Sequence, residues 1–371
     1  MNIKENYLLS LIVALILLGS CGPNSGLLDE ANTYDQELFL ANMADSLIAP
    51  SVVRFSESVD ALNLVIDAYE NEPEAANLPA LRTALLQARK DWQWVQPFTI
   101  GPMATYGLAA ATSIYPIDIQ EVERNIIEGD YNFGAASNLD AAGFQALGYL
   151  LYGEPGTADE VIISELAVAE RWAYLKAVTA YITDTNVKVM EALPTYLTSF
   201  KSAGSFGVDA GSSTATLVNA LNQNLERNLR DGKLGIPVGL RSANVAIPAA
   251  AEAYYADYSL ELLMEAVRTY EYIFEGKGLD GTDGEGFYEY LKAIKAQDTG
   301  EEDLADLIRD QLASIQAKLA ALDGELTQLI ENDPNRLIAI FADLQRLSVH
   351  FKTDMASAMG VVIVYQDNDG D

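Results

Sequence analysis

Histidine, the side chain that most often moves protons or binds metals in proteins, occurs once in this chain, as His350. A zincin-type protease places two histidines four residues apart on a helix with a glutamate between them, so one histidine cannot build that site. A Ser-His-Asp triad would also have to use His350, which lies next to a core-facing position of a predicted helix. We therefore interpret it as a packed or surface histidine, and the sequence contains no positive indication of hydrolysis.

Side-chain oxygen atoms that could bind a metal are far more abundant than histidine nitrogens, since the chain has 19 tyrosines. Most tyrosines at helical spacing are expected to pack, but Tyr255 with Glu252 could bind ferric iron through hard oxygen atoms. The tail carries Asp367, Asp369 and Asp371 in a pattern that resembles the start of a calcium loop. Solvated acid at a chain end fits the same residues, so they are weak candidates for a metal site.

The charge balance is strongly acidic, with 54 acidic against 23 basic residues and a net charge of −31. Phosphate backbones require clustered lysine and arginine, so nucleic acid is excluded as a partner. Solubility and cation capture both explain such acidity, and composition does not separate them.

The N-terminus predicts export. Tyr7 to Leu18 form an apolar run of 12 residues, too short to span a bilayer but typical of a signal peptide. The run ends in the segment Leu18–Cys21, which resembles the lipobox of bacterial lipoproteins. We expect residues 1–20 to be a signal peptide and residues 21–33 a tether lipidated at Cys21. The protein would then be held in the cell envelope (outer membrane or periplasm) by its lipid.

Hydrophobic spacing predicts an all-α protein of two helical bundles with about four helices each. Leu81 to Val95 place apolar residues at alternating spacings of three and four, and Leu304 to Leu329 do so for about seven turns. Asp333 and Pro334 predict the start of a final helix. A Gly/Ser-rich linker at 204–213 would separate an N-terminal bundle (34–203) from a C-terminal bundle (214–371), and weak self-similarity between them suggests a duplication.

The segment Gly143–Gly153 resembles a known family signature. It is similar to the signature helix of the imelysin family, whose G-x-H-x-x-E motif here keeps Gly143 but has Gln145 for the histidine and Gly148 for the glutamate. Further stretches also resemble the family in order and spacing: Phe98–Pro102, Tyr115–Asp118, Lys233–Gly239, Glu252–Tyr255 with Ser259, and the tail from Lys352 to Asp371.

The resemblance implies a two-domain helical fold, an envelope location, and a family linked to both iron uptake and peptidase activity. Histidine and glutamate three residues apart share a helix face and could bind a metal or move a proton, whereas glutamine and glycine cannot. We therefore expect a non-enzymatic, lipid-anchored binding or accessory protein serving iron or haem acquisition, with envelope iron-uptake proteins as partners. A divergent peptidase and a structural lipoprotein without a small ligand are the alternatives.

The ligand site is expected in a groove between the two halves. Its oxygen-rich lining would suit iron, calcium or a hydroxyl-rich ligand, because these prefer hard donors. The predicted lining and motif residues are Asp118, Gly143, Gln145, Gly148, Glu252, Tyr255 and Ser259.

Overall fold

A computed structural model describes residues 34–71 and 74–365. The predicted signal peptide, Cys21, and the aspartates Asp367, Asp369 and Asp371 lie outside these residues. The described part contains helices and no strand, with one isolated antiparallel bridge between Gln297 and Asp303. The prediction of an all-α protein is confirmed.

The first half of the described chain forms eight helices, one of them with a π-helical segment at Met43–Ile48. They are α1 (Gln36–Asn71), α2 (Leu78–Val95), α3 (Gly101–Thr105), α4 (Leu108–Thr112), α5 (Ile119–Glu128), α6 (Gly143–Tyr152), α7 (Asp159–Leu166) and α8 (Ala169–Phe200). Short 3-10 turns lie at Ala75–Asn77, Gln96–Phe98, Ala136–Ala141 and Ala203–Ser205.

The second half begins with α9 (Ser213–Asn224), which runs into a π-helical segment, Leu225–Gly235, and a last turn at Ile236–Val238. A 3-10 turn follows at Pro248–Ala250. The remaining helices are α10 (Ser259–Glu275), α11 (Phe287–Ala293), α12 (Leu304–Ala320), α13 (Leu326–Asn332) and α14 (Pro334–Val349), the last extended by π-helical His350–Met355 and by Ala356–Met359.

The predicted apolar stripes are buried where the spacing placed them. In α2, Leu81, Leu85 and Trp92 are at most 1% exposed, and each large apolar side chain buried in this way stabilises the fold by roughly 1.5–3 kcal/mol. The stripe from Leu304 to Leu329 is also buried, but it is not one helix. The helix stops at Ala320 and a new one begins at Leu326, and the turn between them contains Gly324 in a left-handed conformation (φ +99°), which regular spacing of leucines does not reveal.

Helix α2 positions the elements of the site. It packs along α1 on one side, contacts α6, and also contacts α10 from the second half of the chain. Helix α1 is long and apolar enough to cross a bilayer by composition alone, yet half of its most apolar stretch is buried against the rest of the protein, as in a core helix. The described residues from Asp35 onward form one compact unit, and the division into two bundles stays a prediction.

Candidate functional site

Helix α6 carries the degenerate motif, and its first residue has to be glycine. Gly143 has φ +73°, and a Cβ atom there would lie 2.5 Å from the backbone oxygen of Thr112 at the end of α4. Both the left-handed backbone and the close approach exclude a side chain. This contact fixes the start of α6 and therefore the direction in which Gln145, two residues later, points into the interior.

Gln145 belongs to a group of buried polar side chains that we call the buried polar cluster: Arg89, Gln93, Gln145, Lys233 and Glu252. Each is at most 4% exposed. They come from α2, α6, the π-helical segment after α9, and the turn that precedes α10. The segment at Leu225–Gly235 is an unusual support, because π-helical segments are rare and widen the helix.

Glu252 lies at the centre of the cluster, and several of its oxygen atoms accept hydrogen bonds. Lys233 Nζ donates to Oε2 in a short ion pair, and Gln93 Nε2 donates to Oε1 at 3.1 Å. The backbone oxygen accepts from Arg89 Nη2 at 2.5 Å and from Gln145 Nε2 at 3.3 Å. Buried charges are usually paired in this way, because an isolated one is costly in a medium of low dielectric constant.

The pKa values of the central pair follow from burial and mutual attraction. Burial raises the pKa of Glu252, but the charges of Lys233 and Arg89 outweigh it, so the net pKa is lowered and the carboxylate stays ionised. Burial lowers the pKa of Lys233, and Arg89 adds to this shift while Glu252 opposes it. Burial also raises the pKa of the nearby Tyr115 well above its usual value, which keeps its phenol protonated.

Gly148 has the role of a close-packing glycine. A Cβ atom at this position would lie 3.2 Å from Arg89 Nη1, which is tighter than ordinary van der Waals contact. The absence of a side chain therefore lets α6 approach the guanidinium group on α2. A motif glutamate at this position would begin directly beside Arg89.

The structure brings four of the predicted residues together. Gln145, Gly148, Glu252 and Tyr255 line one cavity of about 10 Å³, which has room for about one water molecule. Glu252 and Tyr255 lie in turns before α10 rather than in the helix itself.

The other predicted residues have structural contacts. Ser259 Oγ accepts a hydrogen bond from Ala253 N and so holds the turn after Glu252. Asp118 is exposed and caps α5, accepting from the backbone nitrogens of Gln120 and Glu121. It does not line the cavity, because the chain turns away after Pro116 and Ile117, which do.

His350 pairs with Asp354 in the last π-helical segment, with 2.9 Å between Nδ1 and Oδ2. Its side chain is 19% exposed, in agreement with a packed histidine at the edge of the core.

Sequence reasoning missed the two cationic members of the cluster, Arg89 and Lys233. A signal for Arg89 was present, because it follows Leu85 and precedes Trp92 at the spacing of the buried stripe of α2. A charge at a core position needs a buried partner, so this residue could have been singled out. Lys233 had no such signal, since its burial depends on the π-helical segment.

The cluster does not fit a metal ion. Glu252 is its only carboxylate, both of its oxygens already accept hydrogen bonds, and two cationic side chains flank it. Ferric iron is bound by ionised tyrosine, whereas burial raises the pKa of Tyr255 to about 12. Within residues 34–71 and 74–365, no three His, Cys, Asp or Glu side chains are placed to hold a metal ion.

A larger groove adjoins the cluster. Its volume is about 560 Å³, within the usual range of ligand sites, and Ala249, Tyr254 and Tyr255 line both the groove and the small cavity. Further lining residues are Arg82, Tyr152, Glu154, Asp159, Asp257, Thr327, Gln328 and Glu331. Four carboxylates face one guanidinium here, so the groove carries excess negative charge.

Known proteins share this fold. A chain from Parabacteroides distasonis, described as an iron-regulated protein A precursor, is similar with a TM-score of 0.72 and 14% identity, over 92% of this chain and 97% of that one. An imelysin-like protein from Psychrobacter arcticum is similar with a TM-score of 0.65 and 16% identity, over 91% and 98%. At these identities the likeness shows the fold alone.

Sequence comparison identifies the family. Iron-regulated protein A of Synechococcus elongatus is 29% identical over 104 residues, and the match spans 28% of this chain and 27% of that relative's length. The family model described as Imelysin matches residues 48–348, most of the chain and the whole of the buried polar cluster. The chain therefore belongs to the imelysin family.

Proposed function

We propose that this protein is a lipid-anchored, non-enzymatic binding protein of the cell envelope that serves iron acquisition. The observation that carries the proposal is the state of the motif helix α6. Gln145 stands where the family motif has histidine, and its amide nitrogen donates to Ser113 Oγ and to the backbone oxygen of Glu252. Gly148 stands where the motif has glutamate.

The remaining acid of the cluster is not free to act as a base. Lys233 and Arg89 hold Glu252 in its ionised form, and its carboxylate oxygens are occupied by Lys233 and Gln93. A general base must be able to reach the proton that it abstracts. We therefore expect no proteolysis: purified protein should not degrade a denatured protein substrate faster than a mock preparation does. Cleavage that disappears in E252Q, with the helical circular dichroism of that variant unchanged, would show that the peptidase alternative is correct.

The adjoining groove is the place proposed for the ligand. Its tyrosines and carboxylates supply hard oxygen atoms, and its excess negative charge disfavours haem, whose propionates are anionic. It suits a neutral or cationic ligand, such as a ferric hydroxamate complex. The names of the relatives from Synechococcus elongatus and Parabacteroides distasonis, both described as iron-regulated, support the link to iron.

Thermal unfolding against ferric chloride, ferric hydroxamates and haem tests the groove. We expect a ferric hydroxamate to raise the melting temperature, since a ligand at a free concentration a hundred times its Kd stabilises the folded protein by about 2.7 kcal/mol. The gain should shrink in the E154Q/E331Q variant and persist in E128Q, which removes an exposed acid from α5 outside the groove. Failure of every ligand to shift the wild-type protein would refute binding in the groove.

The lipid anchor has its own test. A fatty-acid probe should label the wild-type chain in cells and leave C21A unlabelled. Cells that lack the protein should grow more slowly under iron limitation, and the wild-type gene should restore growth better than C21A. Equal labelling of both chains would refute the lipid anchor, and unchanged growth of cells without the protein would refute the role in iron acquisition.

A further inference from the structure

The buried polar cluster contains more positive than negative charge. Arg89, Lys233 and Glu252 are 1%, 2% and 2% exposed, so all three are shielded from water. The charged side chains that shift the pKa of Glu252 are Lys233 and Arg89. One carboxylate therefore faces two cations, and buried charge without a partner is strongly unfavourable in proteins.

An unused hydrogen-bond donor accompanies this excess charge. Arg89 Nη1 reaches Tyr258 Oη at 3.3 Å, and Nη2 reaches the backbone oxygen of Glu252, but Nε is buried without a partner among the described residues. Arg89 also lines the cavity of about 10 Å³. Charge-assisted hydrogen bonds are among the strongest in proteins, so an anionic acceptor would gain from this donor.

Gly148 explains why the chain itself supplies no such acceptor. A side chain at this position would begin 3.2 Å from Arg89 Nη1. The family motif has glutamate there, and this sequence has only a hydrogen atom. Gly148 and Arg89 both line the cavity.

We propose that the cavity binds one small inorganic anion of halide size, chloride under physiological conditions, which neutralises Arg89. A cavity with room for about one water molecule excludes larger anions such as citrate. Tyr115, which also lines the cavity and keeps its phenolic proton, is a second donor within the lining. This site adjoins the ligand groove, but the two donors that would bind the anion, Arg89 and Tyr115, do not line the groove, so either site can exist without the other.

A single water molecule is the competing occupant. The amide oxygen of Gln145 is buried without a donor among the described residues, and a water could serve both this oxygen and Arg89. Water would leave the excess positive charge in place. The two occupants therefore differ in whether stability depends on the anion present.

Two measurements on the wild-type protein decide between them. Crystals grown in sodium bromide should show an anomalous peak beside Arg89. Replacing sodium gluconate by sodium chloride at constant ionic strength should raise the melting temperature by about 2 °C for each tenfold increase above Kd. Constant ionic strength is essential, because salt also screens the repulsion within a chain of net charge −31.

A matched pair of variants assigns the effect to this site. R89Q should lose the response to chloride, whereas K90Q, which removes the neighbouring lysine that pairs with Glu261 on the surface, should keep it. If R89Q does not fold, the bromide peak and the chloride response of the wild-type protein remain decisive. The absence of a peak beside Arg89, together with equal melting temperatures in chloride and gluconate, would show that the cavity holds water and would overturn the proposal.

Discussion

Removing one member of the Lys233–Glu252 ion pair should have a very different cost from removing the other. Counted over Arg89, Lys233 and Glu252 in chloride-free gluconate buffer, where no bound anion adds to the balance, the side-chain charge is +1. It becomes 0 in K233M, where the carboxylate keeps Arg89 as a counter-charge, and +2 in E252Q, where two cations face each other without an acid. The charge balance thus predicts that E252Q is the more damaging change.

The magnitudes follow from the burial of both side chains, each 2% exposed. Breaking a buried pair so that charge is left uncompensated costs about 3–5 kcal/mol, which we expect for E252Q. K233M loses a hydrogen bond to a charged group without leaving an unbalanced charge, which costs about 1.5–3 kcal/mol. K90M is the matched control, because Lys90 pairs with Glu261 at the surface and such pairs contribute at most about 1 kcal/mol.

Urea unfolding, followed by circular dichroism and tryptophan fluorescence, measures these differences: at an unchanged m value, a lower urea midpoint means a lower free energy of unfolding. The expected order of stability is wild type, K90M, K233M and E252Q. If K233M proves as unstable as E252Q or less stable, the argument from the charge balance is wrong, and the pair stabilises the protein by its local contact alone.

Three further outcomes are expected. The pKa of Glu252 is lowered in the folded protein, so ionised Glu252 stabilises the fold above the unfolded pKa of about 4.5, and this stabilisation is lost as pH falls through the folded pKa. In E252Q the urea midpoint should therefore fall less steeply at acidic pH than in the wild type, and an equal fall would contradict the assignment. G143A should destabilise the protein clearly more than G129A, whose new methyl group meets open space at a similar φ and should cost about 1–2 kcal/mol. Equal losses of stability in thermal unfolding would show that the contact of Gly143 with α4 is unimportant. L85A should cost about 2–5 kcal/mol and L64A, 70% exposed, less than about 0.5 kcal/mol, and urea midpoints in another order would contradict the burial of the stripe.

The arrangement of charges in the cluster belongs to tertiary structure. Arg89 and Glu252 are separated by more than 160 positions in the sequence, and the two helices that bring them together, α2 and α10, belong to different halves of the chain. Lys233 is buried because it lies in a π-helical segment, and the spacing of apolar residues in the sequence does not predict π-helical hydrogen bonding. Asp118 shows the converse, because it was placed in the site from its neighbourhood in sequence yet caps a helix at the surface.

What the sequence determined by itself is the helical class, the buried faces of α2 and α12, the start of α14 at Pro334, and the loss of the motif's histidine and glutamate at Gln145 and Gly148. These features are local, since apolar residues recurring every three to four positions must share one face of a helix. Tertiary structure alone decided that Gly148 meets Arg89, that Glu252 pairs with Lys233, and that a groove opens beside them. Such contacts join residues distant in the chain, and their energies depend on burial, which no single segment of sequence determines.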